Sequence, residues 1–362
     1  MKDTLTDLRN RFLHFFYVHF YKRIFFCFDP ENVHAACSRF GMLLGTNKLT
    51  RRISSFLFNY SNPALEQKIH GILFKNPIGL SAGFDKDGYL TKILPSVGFG
   101  FEEIGSITAE PCSGNPGIRM WRHPEKKSIR VYIGLKSEGA KKVAQRLQKT
   151  AFQFPIGISI AKTNSPKTCE TKAGIADYAE TFKSFLKIGD YFTINISCPN
   201  AFGGEPFTDP KKLESLLTEL DKIPTQKPIL LKLPPDLSEK QIDEILAVTK
   251  RHRVHGFVAS NLTKQHSHGK GGMSGKFLEK KANALIAMLY KKTQGEMLII
   301  GSGGVFSAED AYEKIRLGAS LLELITGMIY EGPQVISEIN RGLVQLLKKD
   351  GYKNIGEAVG KN

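Results

Sequence analysis

The sequence predicts an α/β protein, a (β/α)8 TIM barrel with an N-terminal helical extension. Three observations predict it. Eight short β-rich runs recur from residue 77 onward, amphipathic helical segments lie between and after them, and the ends of the runs are polar and glycine-rich. An open doubly wound sheet is the alternative that the same alternation permits. In a barrel the chemistry lies at the carboxyl ends of the strands.

Two units follow from the pattern, an extension over residues 1–60 and a barrel over 61–362. Within FLHFFYVHFYKRIFFCF (12–28), nine of seventeen residues are aromatic, with His14, His19, Lys22 and Arg23 among them. These interruptions leave the stretch short of the ~20 apolar residues that a bilayer span needs, and no signal-peptide cleavage pattern follows it. Rings and cations together predict an interfacial amphipathic helix pair on an anionic membrane surface. An ordinary helix packed on the barrel is the alternative.

Residues 64–76, ALEQKIHGILFKN, predict two short strands about a His70-Gly71 turn, a hairpin placed to cover the barrel floor. The barrel runs are PIGLSAGF at 77, FEEIGSIT at 101, PIGISIAK at 155, YFTINISC at 191, PILLKLPP at 228, GFVASN at 256, EMLIIGSGG at 296 and LLELITG at 321. Helices are expected over 178–187, 211–223, 238–251, 307–318 and 333–349, with Ser238 as an N-cap and Gly318 as a stop.

Hydrophobic residues are 41% and charged residues 24%, the composition of a globular chain able to bury a core. The formal charge of +16 favours an anionic partner. No nucleic-acid motif accompanies it, so a membrane surface or an anionic small molecule is expected. Five cysteines, at 27, 37, 112, 169 and 198, are scattered without a CxxC pair and read as reduced thiols, with neither a disulfide frame nor a metal site.

The run ends carry the chemistry. AGFDKDG (82–88) sets small residues beside Lys86, and Lys232 lies inside the apolar run LLKLPP, where a lysine needs a partner. ASNLT brings Asn261, followed by the glycine-rich GKGGMSG (269–275). GSGGV (301–305) and TGM (326–328) end the last two runs, where glycine amides cradle a phosphate in many barrels. NISCPN (195–200) ends the fourth run with a thiol among amides, where a strand that only filled a core would end in aliphatics.

AGFDKDG, GFGFEEIGSIT, NISCPN, LLKLPPDLS, GGMSGKFL, IIGSGGV and GASLLELITGMIYEGP occur in the order found in dihydroorotate dehydrogenases, which the chain resembles over nearly its whole length. FDPENVHAA (28–36) resembles the end of the N-terminal extension of the membrane-associated, quinone-reducing class. The resemblance implies an FMN-dependent enzyme that oxidises (S)-dihydroorotate to orotate in pyrimidine biosynthesis and passes electrons to a membrane quinone. It also implies a peripheral protein on the cytoplasmic side of the cell membrane.

By the same resemblance Cys198 is the proton-abstracting base. A thiol with an ordinary pKa of about 8.5 serves as a base more readily than a serine hydroxyl. Lys86, Asn195, Asn200 and Asn261 match substrate-binding positions. Ala82, Gly83, Ser106, Ser159, Asn195, Lys232, Ser260, Gly275, Gly304, Thr326 and Gly327 match FMN-binding positions, with Lys232 as the fixed charge that stabilises reduced flavin. His34 and Arg122 match positions near the quinone channel.

The match is broken at several points. Cysteine at the base position, and CPNAFGG as a whole, lean toward the soluble class that uses fumarate or NAD. Val131 stands where the family has a substrate-binding asparagine, Leu135 where an aromatic follows it and Lys136 where another asparagine is common. Ser159, Leu262 and Ile325 replace an asparagine, a threonine and a tyrosine. With Val131 facing the substrate, Tyr132, Lys136 or an ordered water must supply the missing contact, and Lys136 is the one expected. A catalytically silent basic scaffold is the reading from another class, opposed by retention of Lys86, Asn195, Cys198, Asn200, Lys232 and Asn261.

Overall fold

The computed structural model describes residues 2–362. With no proline or glycine before Pro30, the chain begins as one near-continuous rod: α1 (Lys2–Phe16), a π turn (Tyr17–Tyr21) and α2 (Lys22–Phe26). Asp29 then caps α3 (Pro30–Thr46), its carboxylate accepting from the amides of Glu31 and Asn32 at 3.0 Å each. Asn47 caps α4 (Lys48–Phe58) in the same way. The helices have one docked and one open face. Arg9 donates to Ser337 Oγ at 2.7 Å, Tyr17 Oη to the Ile329 carbonyl at 2.8 Å and Lys22 to the Tyr330 carbonyl at 3.1 Å. Phe12, Phe15, Phe20, Ile24, Phe40, Leu43 and Phe56 are exposed, Phe56 by 76%.

The expected hairpin is present as β1 (Gln67–Ile69) and β2 (Ile72–Phe74). Its turn residues, His70 and Gly71, have φ of 48° and 82°, the pair of positive values that a two-residue hairpin turn requires. Phe74 meets Phe101 edge to face at 5.4 Å and closes the barrel floor.

All eight expected runs become barrel strands. After β3 (Ile78–Leu80), α5 (Leu94–Val97) and β4 (Phe101–Ile107) come two strands outside the barrel, β5 (Met120–His123) and β6 (Ser128–Val131). The barrel continues through α6 (Ala140–Leu147), β7 (Ile156–Ile160), α7 (Thr171–Ser184), β8 (Tyr191–Asn195), α8 (Pro210–Asp221), β9 (Ile229–Leu233), α9 (Glu239–Thr249) and β10 (Gly256–Ala259). It ends with β11 (Gly272–Met273), α10 (Glu279–Thr293), β12 (Leu298–Ser302), α11 (Ala308–Arg316), β13 (Leu321–Leu324), α12 (Thr326–Glu331) and α13 (Val335–Asp350). Pairing of Leu322 with Ile78 and Leu324 with Leu80 closes the sheet, which excludes the open doubly wound alternative. β5, β6 and β11 form a separate three-stranded sheet that the sequence pattern did not suggest.

The period-two alternation of strands sorts the interior into layers. Phe101, Tyr191, Leu230, Val258, Ile300 and Leu321 cluster as an apolar floor. Gly79 and Gly157 leave room for the Phe101 and Tyr191 rings, which a Cβ at either glycine would strike. Two residues further along their strands come Glu103, Thr193, Lys232 and Glu323, all buried. The outward residues, such as Ile104, Ile158, Leu231 and Leu322, join the helices in the main core.

Candidate active site

Cys198 lies three residues beyond the end of β8, so the fourth barrel strand delivers its thiol to the carboxyl rim. Amides hold this turn in place. Asn195 accepts from the Ser197 amide at 3.1 Å and the Ser197 hydroxyl at 2.9 Å, and donates to Ser106 Oγ at 2.8 Å. Ser106 shares a hydrogen bond of 2.8 Å with Ser159, so three strands meet through short polar side chains. Asn261, beyond β10, donates to the Ser197 carbonyl at 2.7 Å. Ser260 donates through its amide to the Ser302 carbonyl at 3.0 Å. Asn200 donates to the Val131 carbonyl at 2.9 Å, which ties the thiol turn to β6.

Burial pushes the Cys198 thiol up to about 11, with Glu205 adding to the rise and the Asn200 amide, Lys162 and Lys264 only partly offsetting it. The turn is therefore not one that activates a thiolate at neutral pH in the absence of substrate. This departs from the expectation that a thiol near its ordinary pKa would suffice.

In the barrel mouth, Lys232 Nζ lies 3.1 Å from Ser81 Oγ, 3.3 Å from Glu323 Oε2 and 3.8 Å from Glu103 Oε2. Burial alone would lower its pKa, but Glu323 and Glu103 overrule burial and hold it above its ordinary value. The partner that a buried lysine needs is thus a pair of carboxylates. Lys86 sits half-buried in the loop after β3, the loop that also carries Ala82 and Gly83. Burial, then the like charge of Lys136, lowers its ammonium to about 8.

On the far side of the rim, Gly275 and Gly304 have φ of 78° and 77°, where a side chain would be strained. A Cβ on Gly304 would come within 2.5 Å of Glu279 Cβ, and one on Gly327 would strike the Val305 carbonyl. Thr326 shares a hydrogen bond of 2.9 Å with Ser274. Among the described residues, the amides of Gly275, Gly304 and Gly327 donate to no backbone carbonyl. They form a backbone cradle with donors to spare, which fits a phosphate.

His34 and Arg122 join the extension to the barrel. His34 Nε2 lies 2.9 Å from the Phe84 carbonyl and packs edge to face on the Phe84 ring, and burial lowers the imidazole to about 4. Arg122 donates to the Phe28 carbonyl at 2.7 Å and lies over the Phe26 ring at 4.6 Å. Glu31 pairs with Arg119 and, at 3.5 Å, with Lys136.

Two expectations about the broken segment need correction. Val131 does not offer its side chain to the thiol turn; it packs with Phe26, Met120 and Ile329 against Ile129, Phe306 and Tyr330. Alternation along β6 fixes this, because Ile129 and Val131 share the face that buries Ile129. Lys136, expected over the substrate, is drawn to Glu31 and is half exposed.

The amides missing from that segment are found nearby. Asn115 donates to the carbonyls of Asn200 at 2.9 Å and Tyr132 at 3.1 Å. Asn164 donates to Asn115 Oδ1 at 3.2 Å and accepts from the Phe202 amide at 2.7 Å, while Lys162 donates to the Phe202 carbonyl at 2.6 Å. Their signal lay in the sequence: Lys162 ends the third barrel run as Cys198 ends the fourth, and Asn164 stands two residues further on. Among the described residues no cluster of three or more metal-ligating side chains occurs, and no helix is long and apolar enough to cross a membrane.

A closed parallel barrel with a thiol among amides on one side of its mouth, a charged lysine beneath and a glycine cradle opposite defines a (β/α)8-barrel enzyme whose mouth fits a phosphate-bearing ligand. The model of the dihydroorotate dehydrogenase family matches residues 64–347, and the chain belongs to that family. Dihydroorotate dehydrogenase (quinone) of Nitratiruptor sp. is 37% identical over 346 residues, which is 94% of this chain and 97% of the relative. Its counterpart in Crocosphaera subtropica is 40% identical over 358 residues, 92% of this chain and 94% of the relative. The crystal structure of DHODH in complex with ferulenol from Eimeria tenella matches with a TM-score of 0.78 at 29% identity, covering 87% of this chain and 95% of that one.

Proposed function

We propose that this enzyme oxidises (S)-dihydroorotate to orotate in pyrimidine biosynthesis, holds FMN in the barrel mouth and passes the electrons to a membrane quinone. The observation that carries the reading is the convergence of Cys198, the Asn195–Ser106–Ser159 chain, Lys232 and the open glycine amides on one rim of a barrel that belongs to this family.

The residues present fit FMN. Gly275, Gly304, Thr326 and Gly327 would hold its phosphate, Ala82, Gly83, Ser106, Ser159 and Ser260 would line its ring, and Lys232 would supply the fixed charge beside it. FMN, when bound, supplies the hydride acceptor. Cys198, as thiolate, takes the proton from the carbon next to the one that gives up hydride. Asn195, Asn200 and Asn261 offer amide groups to a ring of alternating donors and acceptors, and Lys86 faces its carboxylate. Substrate closing over the thiol would exclude the remaining water.

The quinone reading is favoured over a soluble enzyme using fumarate or NAD by relatives named for quinone that align over more than nine-tenths of the chain. The exposed rings of α1–α4 supply an apolar face and the chain's +16 charge an attraction to anionic lipid, so residues 1–60 dock peripherally on the cytoplasmic side of the cell membrane and form the quinone entrance past His34 and Arg122. Purified protein should be yellow, release FMN on denaturation and bleach anaerobically on addition of dihydroorotate. Colourless protein, or a flavin that dihydroorotate leaves oxidised, would refute the reading.

A further inference from the structure

We propose that Glu323 and Glu103 share one proton inside the barrel, and that this carboxyl pair, acting with Lys232, takes up a second proton when the bound flavin is reduced and returns it on reoxidation. The inference rests on FMN binding beside Lys232 as proposed above.

One lysine faces two carboxylates in this layer. Lys232 Nζ lies 3.3 Å from Glu323 Oε2 and 3.8 Å from Glu103 Oε2, and both glutamates are wholly buried. Thr193 donates to Glu103, but Glu103 Oε2 and Glu323 Oε1 have no hydrogen-bond partner. Two ionised glutamates would leave one uncompensated negative charge in the barrel, with two of its oxygens unsatisfied. A single proton on the pair removes both faults. Burial, then the facing Glu323, pushes the Glu103 carboxyl up, against the pull of Lys232 and Thr193.

Few other groups compete for that proton. β8 brings Tyr191 beneath the layer, buried and without a partner, its phenol held neutral by burial and by Glu103, Glu323, Asp190 and Glu102. Just past β3, the Ser81 hydroxyl is occupied by Lys232, which donates to it. In register with these, β7, β10 and β12 bring only uncharged residues, Gly157 beside Glu103, Val258 beside Lys232 and Ser302 beside Glu323. The cluster is therefore neutral with one proton and singly positive with two.

The balance is simple. Dihydroorotate gives a proton to Cys198 and a hydride to the ring, so the ring gains two electrons and one negative charge. The carboxyl pair gains one proton from solvent and no electrons, and its added positive charge offsets that negative charge. When two electrons pass to the quinone, the pair's proton is released and contributes to quinol formation.

The test is a spectroelectrochemical titration of the FMN-loaded enzyme, with dyes and without substrate, at a series of pH values. The wild type is expected to take up one more proton per two electrons than Glu323→Gln. The reduction equilibrium constant of the wild type should therefore gain an extra factor of about ten for each pH unit lowered, about 30 mV for a two-electron couple. The reduced-minus-oxidised infrared spectrum of the wild type should contain a protonated-carboxyl band that Glu323→Gln lacks. Identical pH slopes and infrared spectra would overturn the inference while leaving the FMN reading intact. Should Glu323→Gln lose flavin, the wild-type infrared spectrum decides alone, and absence of a carboxyl band overturns the inference. A wild type without flavin, recognised by its absorbance before titration, would remove the functional reading and this inference together.

Discussion

If Cys198 is the base, its environment sets the pH dependence of the first half-reaction. Burial pushes the thiol up to about 11, and the opposing influences of the Asn200 amide, Lys162 and Lys264 do not restore it. A base acts in its deprotonated form, so raising its pKa lowers the reactive fraction at any lower pH. At pH 7 that fraction is about one in 10⁴, and it grows about tenfold with each pH unit until the pKa is approached. The rate of anaerobic flavin reduction by saturating dihydroorotate, followed by stopped flow, should therefore climb with unit slope in log rate from about pH 7 and reach no plateau before about pH 10. Cys198→Ala should keep its flavin and fall by about 10²–10⁴-fold in the same assay, losing the slope. Cys198→Ser should keep partial activity with its rise displaced to higher pH. An alanine variant that reduces its flavin at the native rate would refute the assignment, and a wild-type plateau below pH 8 would show that the thiol is not held up once substrate is bound.

Lys162→Met removes a cation that lowers the Cys198 pKa and a contact to the Phe202 carbonyl, so flavin reduction should slow by about tenfold at pH 8 while the flavin stays bound, read by stopped flow. Asn164→Ala strips partners from Asn115, the Gly134 carbonyl and the Phe202 amide; dihydroorotate binding should weaken by about 1–3 kcal/mol in equilibrium titrations. Lys136→Ala, by contrast, should leave dihydroorotate affinity within about twofold, because the lysine is committed to Glu31 and an exposed pair contributes about 0–1 kcal/mol. Deletion of residues 1–28 should spare flavin reduction by dihydroorotate yet weaken vesicle binding and turnover with a long-tailed quinone, and added salt should weaken vesicle binding of the full chain.

The barrel was legible because its strands are short, β-rich and punctuated by glycine and proline, and because a barrel strand buried on both faces reads as a continuous apolar run. Cys198, Asn195 and Lys232 stood out as polar residues in or at the end of such runs, where packing alone gives no reason for them. The three-stranded sheet of β5, β6 and β11 was hidden. Its strands are two to four residues long, and one of them comes from a loop more than a hundred residues away, so no local period marks them. That sheet decides which way Val131 points, and its pairings leave no local mark in the sequence. Glu103 and Glu323 were passed over for a different reason. Glu323 sits between two leucines and Glu103 between Glu102 and Ile104, and only closure of the barrel brings them to the same lysine.

Reoxidation of the dihydroorotate-reduced enzyme tests the proposed activity most directly. Full-length protein on anionic lipid vesicles would be reduced anaerobically with dihydroorotate and mixed in turn with a long-tailed quinone, fumarate and NAD. Rapid return of the oxidised flavin spectrum with quinone alone, with orotate formed in equal amount, is the expected result. Reoxidation by fumarate or NAD while quinone is inert would contradict it.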